Sequence, residues 1–319
     1  MKIVFLDTQL MGPDIDLSSF EALGEVMFYE STTPEQVADR IENAEVIITN
    51  KVKLDAFSLS VAKSLKMVAL TCTGTDGVDL DYAKQRNIAV ANVAGYSTQS
   101  VVEQTFALLF ALMRHTAWHD EFVKTKYAQN ATGMITSFER MYPELSGKTW
   151  GILGLGSIGK KVASIAEAFG CKIIYHSTSG RHIDGPYPHA TMNQLCEKSD
   201  IISIHAPLSE RTKNLINKEN LELMKPSAYL LNLGRGGIVN EADLANALNN
   251  NQLAGAGLDV FAEEPIEKNN PLLSLTNSEK LVASPHIAWA SIEARTRLAA
   301  EVIANIEAFK NGEERNRVV

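Results

Sequence analysis

Three segments in the last third of the chain each put a reactive side chain just past a short apolar run: NLGRGGIV carries Arg235, GLDVFAEEP carries Asp259 and Glu264, and SPHIAWAS carries His286. In open α/β sheets, ligands bind beyond the carboxyl ends of the strands. The three residue types suit one chemistry. A planar guanidinium grips a carboxylate and an adjacent carbonyl oxygen together. An imidazole gives or takes a proton near neutral pH, and a carboxylate beside it favours the protonated ring. Taken singly, each has a plainer explanation: Arg235 between glycines as a turn cap, Glu264 as one exposed acid among several, His286 after Pro285 as a satisfied core histidine. Their occurrence together, in order behind a nucleotide-type turn, is what points to a site.

That turn lies in WGILGLGSIGKKVASIAEAFG, where Gly154, Gly156 and Gly159 follow an apolar strand and open a helix. This is the context in which GxGxxG binds a dinucleotide. Gly154 permits the tight turn, Gly156 lets the backbone approach a pyrophosphate, and Gly159 lets helix and strand pack closely. The helix start, Ser157 and Ile158 included, offers free N–H groups and the positive end of the dipole, and Gly170 closes the helix. The acid that usually takes the adenosine ribose should end the next strand, about 20 residues on. CKIIYHSTSGR places His176 and Ser177 there instead. Hydroxyls at Ser177, Thr178 and Ser179, with Arg181, accommodate a 2′-phosphate. The same loop tolerates the unphosphorylated cofactor through hydroxyl hydrogen bonds, so NAD and NADP both stay open.

The elements that must carry these residues alternate short apolar runs with helix-length amphipathic segments, the signature of parallel sheets with crossover helices. The expected class is α/β. One strand series is Lys2–Asp7, Glu45–Asn50, Lys66–Thr71 and Ile88–Val93; a second is Thr149–Leu153, Lys172–Tyr175, Asp200–His205, Ala228–Asn232, Gly255–Asp259 and Lys280–Ser284. Between them Gln99–Trp118 reads as one apolar helix after the N-cap Thr98, bridging two domains. Its Phe106–Met113 stretch suits either a subunit interface or a domain core. The tail from Ser291 reads as a helix with no strand to follow, packing back on the first domain. The expected arrangement is two doubly wound domains: 1–98 with 290–319, interrupted by a dinucleotide-binding domain over 99–289.

With 319 residues, 45% of them hydrophobic, the chain is long enough for two cores and a cleft. The formal net charge of −8, with no long Lys/Arg run, argues against nucleic-acid or anionic-membrane partners and favours small molecules. No stretch approaches the roughly 20 apolar residues of a membrane span, and MKIVFLD turns acidic too soon for a signal peptide, so a cytoplasmic setting is expected. Cys72, Cys171 and Cys196 show no CxxC spacing and read as buried free thiols. His115 and His119 share helical spacing but lack a third ligand such as the Glu of HExxH, so no metal is expected.

With these motifs the chain resembles the D-isomer-specific 2-hydroxyacid dehydrogenases over nearly its whole length. The resemblance implies a Rossmann domain inserted into a flavodoxin-like substrate domain. It also implies that Arg235 binds substrate, that His286 is the general acid/base, and that Glu264, before Pro265, orients and charges the histidine. By the same resemblance Asp259 lies near the nicotinamide carboxamide, and Ala206, Pro207 and Thr212 of HAPLSERTKN, with Leu233 and Gly234, line the cofactor. TCTGTDGVDL matches the loop that receives the substrate carboxylate, through N–H groups around Thr73, Gly74 and Thr75. GYSTQSVVEQTFALL resembles the start of the bridging helix, where Ser97, Thr98 and Thr105 approach the nicotinamide.

CTGTDGVDL and PHIAWASIEAR look most like the hydroxypyruvate reductase or glycerate dehydrogenase branch, which implies hydroxypyruvate or glyoxylate as substrate. D-lactate dehydrogenase is the second reading. Phosphoglycerate is disfavoured by the lack of a regulatory extension, and formate dehydrogenase by Glu264, an acid that branch lacks. A reading of another class is a cofactor-sensing corepressor-like binding protein, set lower because no interaction tail is recognisable. The resemblance also implies a homodimer.

Overall fold

The computed structural model describes residues 1–129, 133, 135–181 and 183–319. The chain divides into two compact units, Met1–Ser97 with Trp289–Val319, and Thr98–Ala288. Along the first unit run β1 (Lys2–Phe5), β2 (Glu25–Phe28), α1 (Pro34–Ile41), β3 (Val46–Thr49), α2 (Ala56–Val61), β4 (Met67–Leu70), α3 (Leu80–Gln85) and β5 (Ala89–Ala91). The second unit holds α4 (Thr98–Arg114), α5 (Thr116–Thr125), β6 (Thr149–Leu153), α6 (Ser157–Ala168), β7 (Lys172–His176), α7 (Met192–Lys198), β8 (Ile201–Ile204), α8 (Lys218–Leu223), β9 (Tyr229–Asn232), α9 (Glu241–Asn249), β10 (Gly255–Leu258) and β11 (Leu281–Ala283). A last helix, α10 (Ile292–Lys310), returns to the first unit.

Both sheets are parallel, as the α/β alternation requires. The first has the order β2-β1-β3-β4-β5 and the second β11-β10-β9-β8-β6-β7. Strands such as VIIT (β3) and IISI (β8) are buried at every position, because helices cover both faces of a doubly wound sheet. In the second unit, Trp150 on β6 lies fully buried, and its Nε1 donates to Ser203 Oγ on β8 at 2.9 Å, so no polar atom of the indole is left unmatched. In the first unit, α10 begins at Ser291, whose Oγ accepts from Ala294 N at 3.2 Å, and buries Ala294, Leu298, Val302 and Ile306 among Ile3, Phe5 and Met67. Arg295 ties the same helix to the N-terminal segment through both Asp14 carboxylate oxygens.

The structure departs from the sequence reading in four places. Strand β2 was not expected. It is a four-residue edge strand with alternate positions exposed, including Met27, so it lacks the continuous apolar run of its neighbours. The bridging helix is broken: His115 takes φ 49°, a left-handed conformation that ends α4 at Arg114 and starts α5. Thr98 is the first residue inside α4 rather than its N-cap. After α10 the tail does pair, with Arg317 opposite Ala91 in an antiparallel bridge and Val318 N donating to Val90 O at 2.8 Å. Several strands are also one or two residues shorter at their ends, where the chain is already turning.

The Phe106–Met113 stretch is used inside the second unit: Leu108, Leu109, Leu112 and Met113 pack in one core with Trp150, Ile152 and Leu231. No helix among the described residues is long and apolar enough to cross a membrane.

Candidate active site

The second sheet reverses direction between β6 and β8, and the glycine turn follows β6 at that point. Gly154 has φ +94°, and a Cβ there would lie 2.9 Å from the backbone nitrogen of Ala206, so the loops after β6 and β8 meet only because the side chain is absent. A Cβ on Gly159 would sit 2.3 Å from Gly154 O, which fixes how closely α6 packs on the turn. At Gly156, by contrast, the Cβ position is open. Gly156 is the N-cap of α6 and supplies no capping side chain, leaving the first-turn N–H groups of Ser157, Ile158 and Gly159 unanswered within the helix. Open space before unanswered donors at a helix start fits a dinucleotide pyrophosphate.

The end of β7 and the residues just beyond it, 176–181, carry no carboxylate. His176 Nδ1 donates to Ala190 O at 2.9 Å, and its ring stacks on that of His189. Ser177 is buried, with its N–H pointing to His189 Nε2 at 3.4 Å and its Oγ 3.5 Å from Ser179 Oγ. Arg181 N donates to Ser179 Oγ at 3.2 Å, and Arg211 Nη1 to Ser179 O at 3.0 Å. The structure therefore brings a second guanidinium to this loop, from Arg211 of HAPLSERTKN, a residue that the sequence reading did not single out in that segment.

Other cofactor-lining candidates divide. Ala206 and Leu233 are buried, and Gly234 lies against the Ala206 carbonyl, which a Cβ would approach to 2.7 Å. Thr212 is buried with its hydroxyl donating to Pro207 O at 2.7 Å, so it closes its own loop. Thr105 is fully buried and donates to Val101 O at 2.8 Å within α4, so its hydroxyl is committed to its own helix.

Arg235, Asp259 and His286 follow three adjacent strands, with Asn232 of β9 and Ala283 of β11 both paired in register with Leu258 of β10. Three contacts set their positions. Asn232, buried at the end of β9, accepts from Gly234 N at 3.1 Å and donates to Arg235 O at 2.9 Å, so one amide braces the segment that bears the guanidinium. Gly236 then presses on the loop after β10, where a Cβ would fall 1.9 Å from the Phe261 carbonyl. Glu241 holds the same loop, accepting from Ala262 N at 2.6 Å and from Asn270 Nδ2.

His286 is placed by a buried carboxylate. Asp259 accepts from Ser284 Oγ at 2.6 Å, Ile287 N at 3.0 Å and Ala288 N at 3.0 Å, while its own carbonyl accepts from His286 N at 2.8 Å. Burial pushes the Asp259 carboxyl above its ordinary range, against these hydrogen bonds, which favour the anion. Held this way, His286 takes a left-handed φ of 52°. Its Nδ1 lies 2.6 Å from Glu264 Oε2, and Glu264 Oε1 accepts from Phe261 N at 3.1 Å. The imidazole is about a quarter exposed, and its Nε2 has no hydrogen-bond partner among the described residues. An acid on one ring nitrogen and an open second nitrogen make a group able to pass a proton to a small molecule.

Asn232, Ser284 and Gln104, whose Nε2 donates to Ser284 Oγ at 3.0 Å, were missed by the sequence reading. A single polar residue closing an otherwise apolar strand, as Asn232 and Ser284 do, is the signal that could have found two of them. In the first unit, the Thr73–Thr75 loop follows β4. Thr73 Oγ1 donates to Val93 O at 2.8 Å, Asn92 Nδ2 donates to Thr73 O at 2.7 Å, and the N–H groups of Thr73, Gly74 and Thr75 donate to no described residue. Ser97 closes the first unit and Thr98 opens the second.

Comparison with known proteins agrees with this geometry. Residues 106–288 match the family model described as D-isomer specific 2-hydroxyacid dehydrogenase, NAD binding domain. The chain is 37% identical to a glycerate dehydrogenase of Methylorubrum extorquens, with 99% of this chain and 98% of that one covered. It is 36% identical to a hydroxypyruvate reductase of Blautia hydrogenotrophica, covering 100% and 99%. The structure of D-lactate dehydrogenase from Aquifex aeolicus, complexed with NAD and lactic acid, superposes with a TM-score of 0.84 at 28% identity, covering 98% of this chain and 96% of that one. A match through the second unit's strands and turns, and relatives aligned from end to end, leave one conclusion: the chain belongs to the D-isomer specific 2-hydroxyacid dehydrogenases, enzymes that use a nicotinamide cofactor.

Proposed function

We propose that the protein interconverts a small 2-oxo acid and its D-2-hydroxy acid, with hydroxypyruvate or glyoxylate the preferred oxo acid and D-glycerate the matching product. The observation that carries the catalytic part is the 2.6 Å contact between His286 Nδ1 and Glu264 Oε2. Glu264 accepts the hydrogen bond from Nδ1 and fixes the ring, so Nε2 presents a proton to the substrate oxygen in reduction and takes it back in oxidation. The guanidinium of Arg235 grips the substrate carboxylate and carbonyl oxygen as a fork, which orients C2 and answers the charge that develops on oxygen. In the first unit, the unanswered N–H groups of Thr73, Gly74 and Thr75 suit a carboxylate. A bound nicotinamide supplies or removes the hydride at C2.

Substrate preference rests on the likeness to the glycerate dehydrogenase and hydroxypyruvate reductase relatives, which name one chemistry in its two directions. Pyruvate is the second candidate, on the likeness to the lactate enzyme. Both cofactors suit this site: residues 177–181 after β7 offer Ser177, Ser179 and Arg181, with Arg211 bonded to the same stretch, to a 2′-phosphate and carry no carboxylate to repel it.

The reading includes a homodimer in the cytoplasm. Exposed apolar side chains in the second unit, Val123, Ile135, Phe138 and Met141, support the first part. The unpaired thiols Cys171 and Cys196, which burial pushes up to about 11 and about 12, suit a reducing compartment.

Oxidation of NADH and NADPH with hydroxypyruvate, glyoxylate and pyruvate tests the substrate. His286→Ala tests the mechanism: turnover should fall by about two to four orders of magnitude with cofactor affinity near wild type. Unchanged turnover in that variant would overturn the assignment.

A further inference from the structure

The first unit has a cavity of about 580 Å³ where its sheet changes direction. In the order β2-β1-β3-β4-β5, the chain leaves β1 to one side for β2 and returns to the other for β3. Such a reversal opens a crevice at the carboxyl ends of the two central strands, which is where open α/β sheets take ligands. The residues that follow each strand line it: Asp7 and Leu10 after β1, Thr32 and Pro34 after β2, Lys51 and Lys53 after β3. Neither the Thr73–Thr75 loop nor any of Arg235, Glu264 and His286 belongs to its wall.

The charges in this wall are unequally used. Asp7 is buried, and its carboxylate accepts from Asn50 N at 2.9 Å, Lys51 N at 2.8 Å and Thr49 Oγ1 at 3.2 Å. Asp55 caps α2 by accepting from Ser58 N at 2.8 Å. Lys51 and Lys53, both exposed, form no ion pair among the described residues. The cavity's available charge is therefore positive. The wall also has an apolar part, with Val37, Ala38 and Val52, and with Phe57, which is 71% exposed. Phe57 thus extends the cavity's apolar wall outward.

We propose that this crevice binds a small monocarboxylate with an apolar body, its carboxylate on the ammonium groups of Lys51 and Lys53 and its body against Val37, Val52 and Phe57. The volume is that of a small-molecule site. Phosphate fits worse, since it has no apolar body and would leave Val37, Val52 and Phe57 uncovered. The crevice stands independently of the roles given to Arg235 and His286.

Benzoate is the probe, titrated by calorimetry into the full chain. The starting protein is Arg235→Gln, in which the proposed grip on a substrate carboxylate has been removed. Benzoate should still bind, and adding Lys51→Gln with Lys53→Gln should weaken it by about tenfold or more, the effect of losing two charge contacts. Ala38→Trp, which fills the cavity without touching charge, should abolish binding while reductase turnover in the otherwise wild-type chain is kept. Absence of benzoate binding in Arg235→Gln overturns the proposal, as does binding that survives the double lysine change. A failed reductase assay with intact benzoate binding would instead count against the proposed function alone.

Discussion

The carboxylate of Asp259 and the backbone of Ala288 are joined by a 3.0 Å hydrogen bond, one of three donors that converge on this buried group from the segment carrying His286. The imidazole is thus set from below by an acid that does not touch its ring nitrogens, and its left-handed backbone is held by the same contacts. Two different carboxylates meet this segment: Asp259 its backbone, and Glu264 its imidazole ring.

Asp259→Ala leaves the N–H groups of Ile287 and Ala288 without an acceptor. Unfolding free energy should fall by about 1–3 kcal/mol, the range for an orphaned buried donor, and turnover should drop with it as His286 loses its fixed place. Asp259→Asn keeps one acceptor and should recover part of both. Denaturant titration alongside kcat checks this, and an alanine variant as stable and active as wild type would remove Asp259 from the account.

Glu264→Gln preserves shape but opposes an amide to the His286 Nδ1 proton, whose partner is now an acceptor at 2.6 Å. The ring should lose the acceptor that fixes its Nδ1 proton, and with it a single tautomer and orientation. Reductive turnover is expected to fall by about a hundredfold, within the general-acid range. Steady-state kcat alongside cofactor affinity decides: a wild-type kcat would show that Glu264 does not hold His286 for the reaction.

The proposed role of the Ser177 loop in cofactor choice is open to two substitutions. Ser177→Asp restores the carboxylate that repels a 2′-phosphate, and Arg211→Ala removes the guanidinium bonded to Ser179 O. Each should lower kcat/KM with NADPH by about tenfold or more relative to NADH, a difference of about 1.4 kcal/mol. Identical NADPH-to-NADH ratios in all three proteins would show that this loop does not read the phosphate.

Arg235, Asp259 and His286 could be singled out as candidates because each follows a short apolar run, and the glycine turn because its spacing is dictated by sterics that recur in the φ of Gly154 and the close contact at Gly159. The supports were not legible. Arg211 reaches Ser179 from 32 residues away, and Gln104 reaches Ser284 across 180, distances over which sequence pattern carries no signal. The break at His115 escaped because an apolar periodicity continues across it, and nothing in His115 itself demands a left-handed backbone. Strand β2 escaped for the opposite reason: as an edge strand it is half exposed and too short to set up a pattern.

His205, beside Ala206 at the end of β8, gives a prediction about stability. Its Nδ1 is sealed from solvent without a partner among the described residues, and its Nε2 lies 3.0 Å from Ser203 Oγ. Burial holds the ring neutral by lowering its pKa from 6.5 to about 3. The unfolded chain takes up a proton below 6.5 while the folded chain does not, so stability is complete above 6.5 and is lost as pH falls toward 3. Between pH 7.5 and 5.5 this one group should remove about 1.4 kcal/mol of unfolding free energy. His205→Gln, which cannot take up that proton, should lose less over the same interval by that amount. Denaturant midpoints of both proteins at the two pH values measure the difference, and parallel losses would mean that His205 is protonated in the folded chain.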